Sequence, residues 1–263
     1  MSQLTIAAYQ FIPIQDPSSL REGIKNLCQE LGLRGTILLA HEGINSFVAG
    51  PADSIHQLKN YLENDLGFKG LCYKEHPCDT IPFTRLLVKV KKEIIAMGVA
   101  GIEPHEFTAP HLSPLDLKKW LDEKQDVVLL DTRNDYEISV GTFKNAIHLN
   151  ISTFKKFPEA AIRQLKDLKN KKIVTYCTGG IRCEKASAFL VQNGFTDVYQ
   201  LDGGILKYFE DCDSAHYGGN CFVFDWRLAV NSQLKAEPRS PVNTESFGRH
   251  ILKDTVPAES STE

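Results

Sequence analysis

The stretch TYCTGGIRCEKASA, residues 175–188, sets Cys177 and Cys183 on either side of a glycine-rich turn. The thiolate is the reactive form of cysteine, so the chemistry depends on what lowers the pKa of either sulfur. Gly179 and Gly180 permit a backbone turn that aims N–H groups inward and makes a concavity of positive potential. A helix expected to start within six residues of Cys177 adds the partial positive charge of its N-terminus. Arg182 brings a permanent cation with planar donors. All three contributions favour the thiolate, and they predict that Cys177 has a depressed pKa and is nucleophilic near neutral pH. Thr178, Gly179, Gly180, Ile181 and Arg182 are then the loop that binds whatever Cys177 meets. Cys183 falls in the first helical turn and reads as a small buried side chain, with a supporting or resolving thiol as the alternative.

The elements that must position this loop are legible around it. KKIVTYC is an apolar run of buried parallel-strand type, and open α/β sheets bind ligands at the C-terminal ends of such strands. DVVLLD is a second such run, KNAIHLN a short strand, PEAAIRQLKDLKN an amphipathic helix and CEKASAFLVQNG a helix stopped by Gly194. DVYQLDG is a strand and GILKYFED the closing helix, with a short helix over residues 116–122. This alternation predicts a parallel sheet wrapped by helices over residues 115–216. The N-terminal part reads β-α-β-β-α-β, a ferredoxin-like split βαβ plan of the α+β class. Its strands are TIAAYQFIPI, RGTILLA, GINSFVAG and LCYKEHP, with TRLLVKVKKEIIAMG continuing after Pro82 as a long strand or hairpin arm. Its helices open at Asp16-Pro17-Ser18 and at Pro51-Ala52-Asp53. The expected organisation is an α/β two-domain chain: a first domain over 1–103, a proline- and histidine-rich linker over 104–114, the parallel-sheet domain, and a C-terminal extension over 217–263 that is loose after about 231, where Pro238, Pro241 and PAESSTE lie.

A chain of 263 residues has room for two domains, and its net charge of −3 argues against a general nucleic-acid coat while allowing a local basic patch. No apolar run is long enough to span a bilayer, and the N-terminus lacks the basic region of a signal peptide. A cytoplasmic location without membrane partners is the expectation. Seven cysteines, an odd number without framework spacing, then read mostly as free thiols.

Loop length separates two cysteine chemistries. Cysteine phosphatases cradle a tetrahedral phosphate with Cys-x5-Arg. Here the spacing from Cys177 to Arg182 is Cys-x4-Arg, which resembles the rhodanese loop, where the cysteine carries a persulfide. The segment VVLLDTRNDYEISVGTFKNAIHLN resembles the rhodanese pattern around Asp131, Arg133, Tyr136, Gly141 and Ala146, with Thr142-Phe143 in place of His-Ile. Asp131 and Arg133 read as ties between a strand end and nearby loops. A narrower resemblance rests on TRNDYE, GTFKNAI, FKKFPE, YCTGGIRCEKASA, VYQLDGGILKY and CFVFDWRLAV, with ILLAHEGINSFVAG and PFTRLLVKVKKEIIAMG from the first domain. Together these resemble the bacterial rhodanese-like tRNA uridine-34 hydroxylases, from residue 4 to about 230. The resemblance implies a rhodanese-type second domain behind an acylphosphatase-like, RNA-associated first one. It implies a tRNA-modifying oxygenase that converts the wobble uridine of the anticodon loop to 5-hydroxyuridine with molecular oxygen as co-substrate, and it carries the essential cysteine over to Cys177. The residues unaided stop at a sulfurtransferase with a persulfide on Cys177, which stays as the alternative. Trp226 stands where that family usually has an acidic or polar residue. Longer members carry a cysteine-rich C-terminal extension resembling a zinc module, whereas this sequence has no cysteine after Cys221.

No dinucleotide fingerprint, P-loop or H-E-x-x-H motif is present, so no cofactor is expected, and the electron donor for an oxygenase is not visible. Cys72, His76 and Cys78, and also Cys212, His216 and Cys221, are close enough to suggest metal ligands. Neither set reaches four ligands or the C-x2-C spacing, so no metal is expected. For RNA, RLLVKVKKEI offers Lys89, Lys91 and Lys92, with a solvated strand face as the competing reading. Lys155, Lys156 and Lys185 lie nearer the loop along the chain; His41 and Glu42 of HEGIN are candidates to contact the second domain or RNA, with His41 read as a surface or interdomain residue and not as a catalyst.

Overall fold

The computed structural model describes residues 2–225 and 227–236. Trp226 and residues 237–263, which include Pro238, Pro241 and PAESSTE, lie outside the described residues. The chain folds as two compact units, with residues up to Ile94 forming the body of the first and Ile95–Val223 that of the second.

The first unit runs β1 (Gln3–Phe11), α1 (Pro17–Glu30), β2 (Arg34–Ala40), β3 (Gly43–Pro51), α2 (Ala52–Asn60), β4 (Cys72–Cys78) and β5 (Leu86–Val90). Its sheet has the order β4-β1-β3-β2-β5. The first four strands are antiparallel neighbours in the ferredoxin-like arrangement. Asp16 caps α1 by accepting from the N–H groups of Ser18 and Ser19, with Pro17 in the first helical position. Alternate residues of β2, Ile37 and Leu39, meet Ile24 and Cys28 of α1 and Ile55 and Leu58 of α2 in one core.

The extended arm expected after Pro82 is corrected. β5 stops at Val90 and lies at the edge opposite β4, parallel to β2 with Ile37 facing Val88. The chain beyond it turns apolar residues elsewhere: Met97, Ile102 and Ala109 are buried in a core of the second unit. Residues 95–103 therefore pack with the second unit, not with the first domain as the sequence reading had it.

The second unit adds β6 (His111–Leu112), α3 (Pro114–Asp122), β7 (Val127–Asp131), α4 (Asp135–Ile138), β8 (Gly141–Phe143), β9 (Ile147–His148), α5 (Phe157–Gln164), β10 (Lys172–Tyr176), α6 (Ile181–Gln192), β11 (Asp197–Leu201), α7 (Gly204–Cys212), β12 (Tyr217–Gly219), β13 (Cys221–Phe222) and β14 (Ala229–Val230). Its main sheet has the order β6-β11-β10-β7-β9, and every neighbouring pair is parallel. Successive residues of the central strands enter opposite layers. Leu130 and Ile173 pack with Phe157 of α5 and Leu190 of α6. Leu129 and Val174 pack with Leu117 of α3 and Ile205 of α7. Burial on both faces is the reason these strands are unbroken apolar runs.

Three boundaries differ from the sequence reading. The expected linker over 104–114 supplies β6, an edge strand on β11 with His111 opposite Gln200. The single helix expected in PEAAIRQLKDLKN ends at Gln164 and is followed by a 3-10 turn at Lys166–Leu168. The chain past residue 216 is no separate extension at its start. β12 pairs antiparallel with β8, and Tyr217 and Cys221 are buried in the core between α7 and the sheet.

Candidate active site

Cys177 is the first residue after β10, beside the end of β7. The strand end is fixed first: Thr132 donates from its N–H and its hydroxyl to the carbonyl of Tyr176, both at 3.0 Å. The chain then turns through Gly180, whose φ of 102° is a conformation that favours glycine. This turn brings the Gly180 N–H to 3.1 Å from the Cys177 Sγ. α6 starts at the next residue, so its N-terminus faces the same sulfur.

Cys177 is only 1 % exposed. Burial pushes its pKa up, yet the hydrogen bond from the Cys183 thiol, the charge of Arg182 and the backbone N–H groups of Arg182 and Gly180 outweigh it and bring it down to about 5. Cys183 is buried as well and is pushed well above the ordinary thiol range by desolvation and by the neighbouring Cys177. The two sulfurs thus divide roles: one holds the negative charge, the other keeps its proton and donates. Thr132 also approaches Cys183, with Oγ1 at 3.8 Å from its sulfur.

Arg182 does not turn its guanidinium towards open space. Its Nη1 and Nη2 donate to the two carboxylate oxygens of Glu137 at 2.6 and 2.7 Å. Glu137 is fully buried, and its Oε1 also accepts from the N–H of Asn134 at 3.1 Å at the start of α4. Burial works against the Arg182 charge, but Glu137 and then Cys177 hold its pKa above the ordinary value. Arg182 therefore acts on Cys177 through its charge and its backbone N–H. Glu137 is a site residue that the sequence reading passed over, although it is the glutamate of the DTRNDYE segment, four residues after Arg133.

A second buried pair lies under the loop. Arg133 donates from Nε and Nη2 to Asp131, and Nη2 also reaches the carbonyl of Gly141 at 2.7 Å. Thr142 donates to Asp131 Oδ2 at 3.0 Å and shares a hydrogen bond with the Tyr176 hydroxyl at 2.8 Å. Tyr217 adds its hydroxyl to Gly141 at 2.8 Å. Burial opposes the Asp131 charge, and Arg133 overcomes it, so the carboxyl sits below its ordinary pKa. These contacts tie the end of β7 to β8 and β12, which is a structural task.

Comparison with known proteins places this geometry. The model described as UPF0176 acylphosphatase like domain matches residues 3–94, and that described as Rhodanese-like domain matches residues 113–211. A Cupriavidus necator protein named tRNA uridine(34) hydroxylase is 47 % identical over 246 residues, covering 92 % of this chain and 86 % of that one. A Delftia acidovorans protein of the same name is 49 % identical over 240 residues, covering 89 % and 91 %. One from Paraburkholderia xenovorans is 47 % identical over 257 residues, covering 94 % and 88 %. The chain belongs to the tRNA uridine(34) hydroxylase family. The fold of this hydroxylase-family chain is accordingly an acylphosphatase-like α+β domain followed by a rhodanese domain with a parallel sheet.

The other residues singled out in this family member are scattered. Lys89, Lys91 and Lys92 are exposed on and just after the edge strand β5, and Lys155 and Lys156 are exposed ahead of α5. Lys185 is corrected as an RNA contact. It is 2 % exposed, and its Nζ donates to the carbonyl of Ile95 at 3.0 Å, so it is spent on holding the 95–103 segment. His41 donates from Nδ1 to the Ile14 carbonyl at 2.9 Å, and Glu42 accepts from the N–H of Ile94 at 2.7 Å. Neither cysteine–histidine set is gathered. Cys78 accepts from the Thr5 hydroxyl, and His216 pairs with Asp122 at 2.7 Å. Among the described residues the group of three candidate ligands within mutual reach is Glu103, His105 and Glu106, all exposed.

Proposed function

We propose that this chain hydroxylates C5 of the wobble uridine of tRNA, giving 5-hydroxyuridine, with Cys177 as the reacting thiolate. The observation that carries the reading is the likeness, over about nine-tenths of the chain, to proteins named tRNA uridine(34) hydroxylase. It favours hydroxylation over the sulfurtransferase alternative. The substrate is tRNA, engaged at the anticodon loop, and the enzyme is cytoplasmic; among the described residues no helix is long and apolar enough to cross a membrane.

Molecular oxygen is the co-substrate. One oxygen atom goes to C5 and the other leaves as water, so each turnover consumes two electrons from a reductant. Two routes give the thiolate a task. In one, Cys177 Sγ adds to C6 of uracil and makes C5 electron-rich enough to attack oxygen or a peroxide. With both Arg182 Nη atoms on Glu137, charge developing on the base then falls to the loop N–H groups. In the other, the Cys177 sulfur, or the outer sulfur of a persulfide on it, takes one atom of the oxygen molecule while the second leaves as water with the reductant's two electrons; that oxygen then passes to C5, the C5 proton is lost, and the original sulfur species is regenerated. The 1 % exposure of Cys177 favours the second route, because a small species enters a closed cradle more readily than a planar base does. Trapping with tRNA containing 5-fluorouridine separates them, since a covalent adduct supports only the first.

The function itself is tested by mass spectrometry of tRNA nucleosides from a deletion strain, complemented with wild-type or Cys177→Ala protein. Loss of 5-hydroxyuridine-derived nucleosides, restored by the wild type alone, is the expected result. Their persistence in a deletion strain shown to have no parallel hydroxylation route would sink the reading.

A further inference from the structure

The loop after β10 is gripped from outside by the start of α7. The N–H of Ile205 donates to the carbonyl of Cys177 at 2.9 Å, and the N–H of Leu206 donates to the carbonyl of Thr178 at 3.1 Å. Together with the Thr132 donors on Tyr176, three consecutive carbonyls are thereby pinned. In a planar trans peptide the C=O and the following N–H point in opposite directions. Pinning the carbonyls of Cys177 and Thr178 towards α7 therefore turns the N–H groups of Thr178 and Gly179 away from it. The peptide planes of the anion cradle are set by a helix that contributes no side chain to it.

This grip depends on Gly204. Its φ is +67°, and a Cβ built on it would lie 2.5 Å from the carbonyl oxygen of Cys177, 2.8 Å from that of Thr178 and 2.9 Å from the N of Gly180. All three are backbone atoms, which cannot swing aside as the end of a flexible side chain would. Any side chain at 204 must push the loop away from α7 or break the two hydrogen bonds.

We infer that Gly204 is a positioning residue for the reaction: by admitting the α7 backbone against the Cys177–Gly180 loop, it keeps in place the Gly180 N–H that donates to the Cys177 Sγ, the atom a Cβ at 204 would crowd. The inference rests on the reading of Cys177 as the reacting thiolate, but it is read out on the thiol itself. The groups that face this sulfur are Cys183 and Arg182 of α6, the latter neutralised by Glu137 of α4, so a change at position 204 reaches Cys177 only through the backbone.

The experiment compares Gly204→Ala with Gly194→Ala in the full chain. Gly194 has a φ of +84° but open surroundings, with only the Lys169 Nζ within range at 3.7 Å. Both variants bear the strain of a side chain on a left-handed backbone. Iodoacetamide labelling of Cys177 is followed against pH, and hydroxylation of tRNA is measured beside it. Gly204→Ala is expected to raise the labelling midpoint by about one pH unit, a tenfold loss of thiolate stabilisation, and to lower hydroxylation with it. Gly194→Ala should change thermal stability alone. Equal labelling midpoints in the two variants would overturn the inference. Should Gly204→Ala fail to fold, replacing Leu206 by its α-hydroxy acid deletes only the N–H that donates to Thr178 and keeps the side chain. A midpoint that then stays at the wild-type value overturns the inference equally. A shifted midpoint without any tRNA hydroxylation in the wild type would retain the positioning role and reject the proposed reaction.

Discussion

At Cys177, two opposing effects of similar origin decide the chemistry. Desolvation favours the neutral thiol, and the donors packed around the sulfur favour the anion. With the balance at about 5, labelling of Cys177 should rise through that pH and be flat from about 6 upwards, where a free cysteine with a pKa of about 8.5 is still mostly protonated. Peptide mapping after iodoacetamide treatment checks this, and a midpoint above 8 would contradict the cradle. Glu137 tests the other side of the balance. In Glu137→Gln the buried Arg182 charge loses its counter-ion, so denaturant unfolding should show a loss of about 3–5 kcal/mol. Since Arg182 then acts on Cys177 uncompensated, the labelling midpoint should fall, the opposite of the shift expected for Gly204→Ala. A rise would show that Glu137 serves mainly to place the Arg182 backbone. Cysteine, glycines and arginine within six residues made the loop legible from sequence. Glu137 was harder to find because its partner is 45 residues away and comes close only through the sheet.

The elements show the same division between local and distant causes. DVVLLD and KKIVTYC could be read as buried strands because burial on both faces leaves an apolar run with no period. The ferredoxin-like order was likewise readable, since α1 carries its own Asp16 cap, α2 follows the Pro51 turn, and both show apolar spacing. What escaped were pieces whose shape comes from a neighbour. β6 is two residues long and exists because β11 offers an edge, and β12 is three residues laid against β8. Neither length allows an alternation to be seen. β12 has a consequence for the core beneath the loop. Gly219 has a φ of +81°, and a Cβ there would lie 2.5 Å from the carbonyl oxygen of Val140 and 2.9 Å from the Cα of Gly141. Gly219→Ala should therefore lift β12 from β8 and loosen the Gly141 carbonyl that Arg133 and Tyr217 share, at a cost of about 1–3 kcal/mol. Urea titration measures it. An unchanged midpoint would mean that β12 is an ornament of β8 and not part of what ties β8 to the end of β7.

For the molecule as a whole, the question is how a chain of net charge −3 binds a polyanion. The answer has to be local, since the average field is mildly repulsive. Lys89, Lys91 and Lys92 form a short basic run at the sheet edge of the first unit, all exposed, whereas Lys185 is buried and bonded to Ile95. Counterion release turns this difference into a measurement. Each lysine that neutralises a phosphate adds about 0.7–0.9 to the slope of log K against log salt. If the run tracks the tRNA backbone, Lys89→Ala/Lys91→Ala/Lys92→Ala should flatten that slope by about 2–3 and weaken binding most at low salt. Lys185→Ala should leave the slope alone and instead lower thermal stability, because it removes the donor that holds the Ile95 carbonyl. Filter binding across a salt series distinguishes the cases. An unchanged slope in the triple variant would move the RNA surface away from β5, with the exposed pair Lys155 and Lys156 as the next substitution to make. A changed slope in Lys185→Ala would mean that the 95–103 segment opens when tRNA binds.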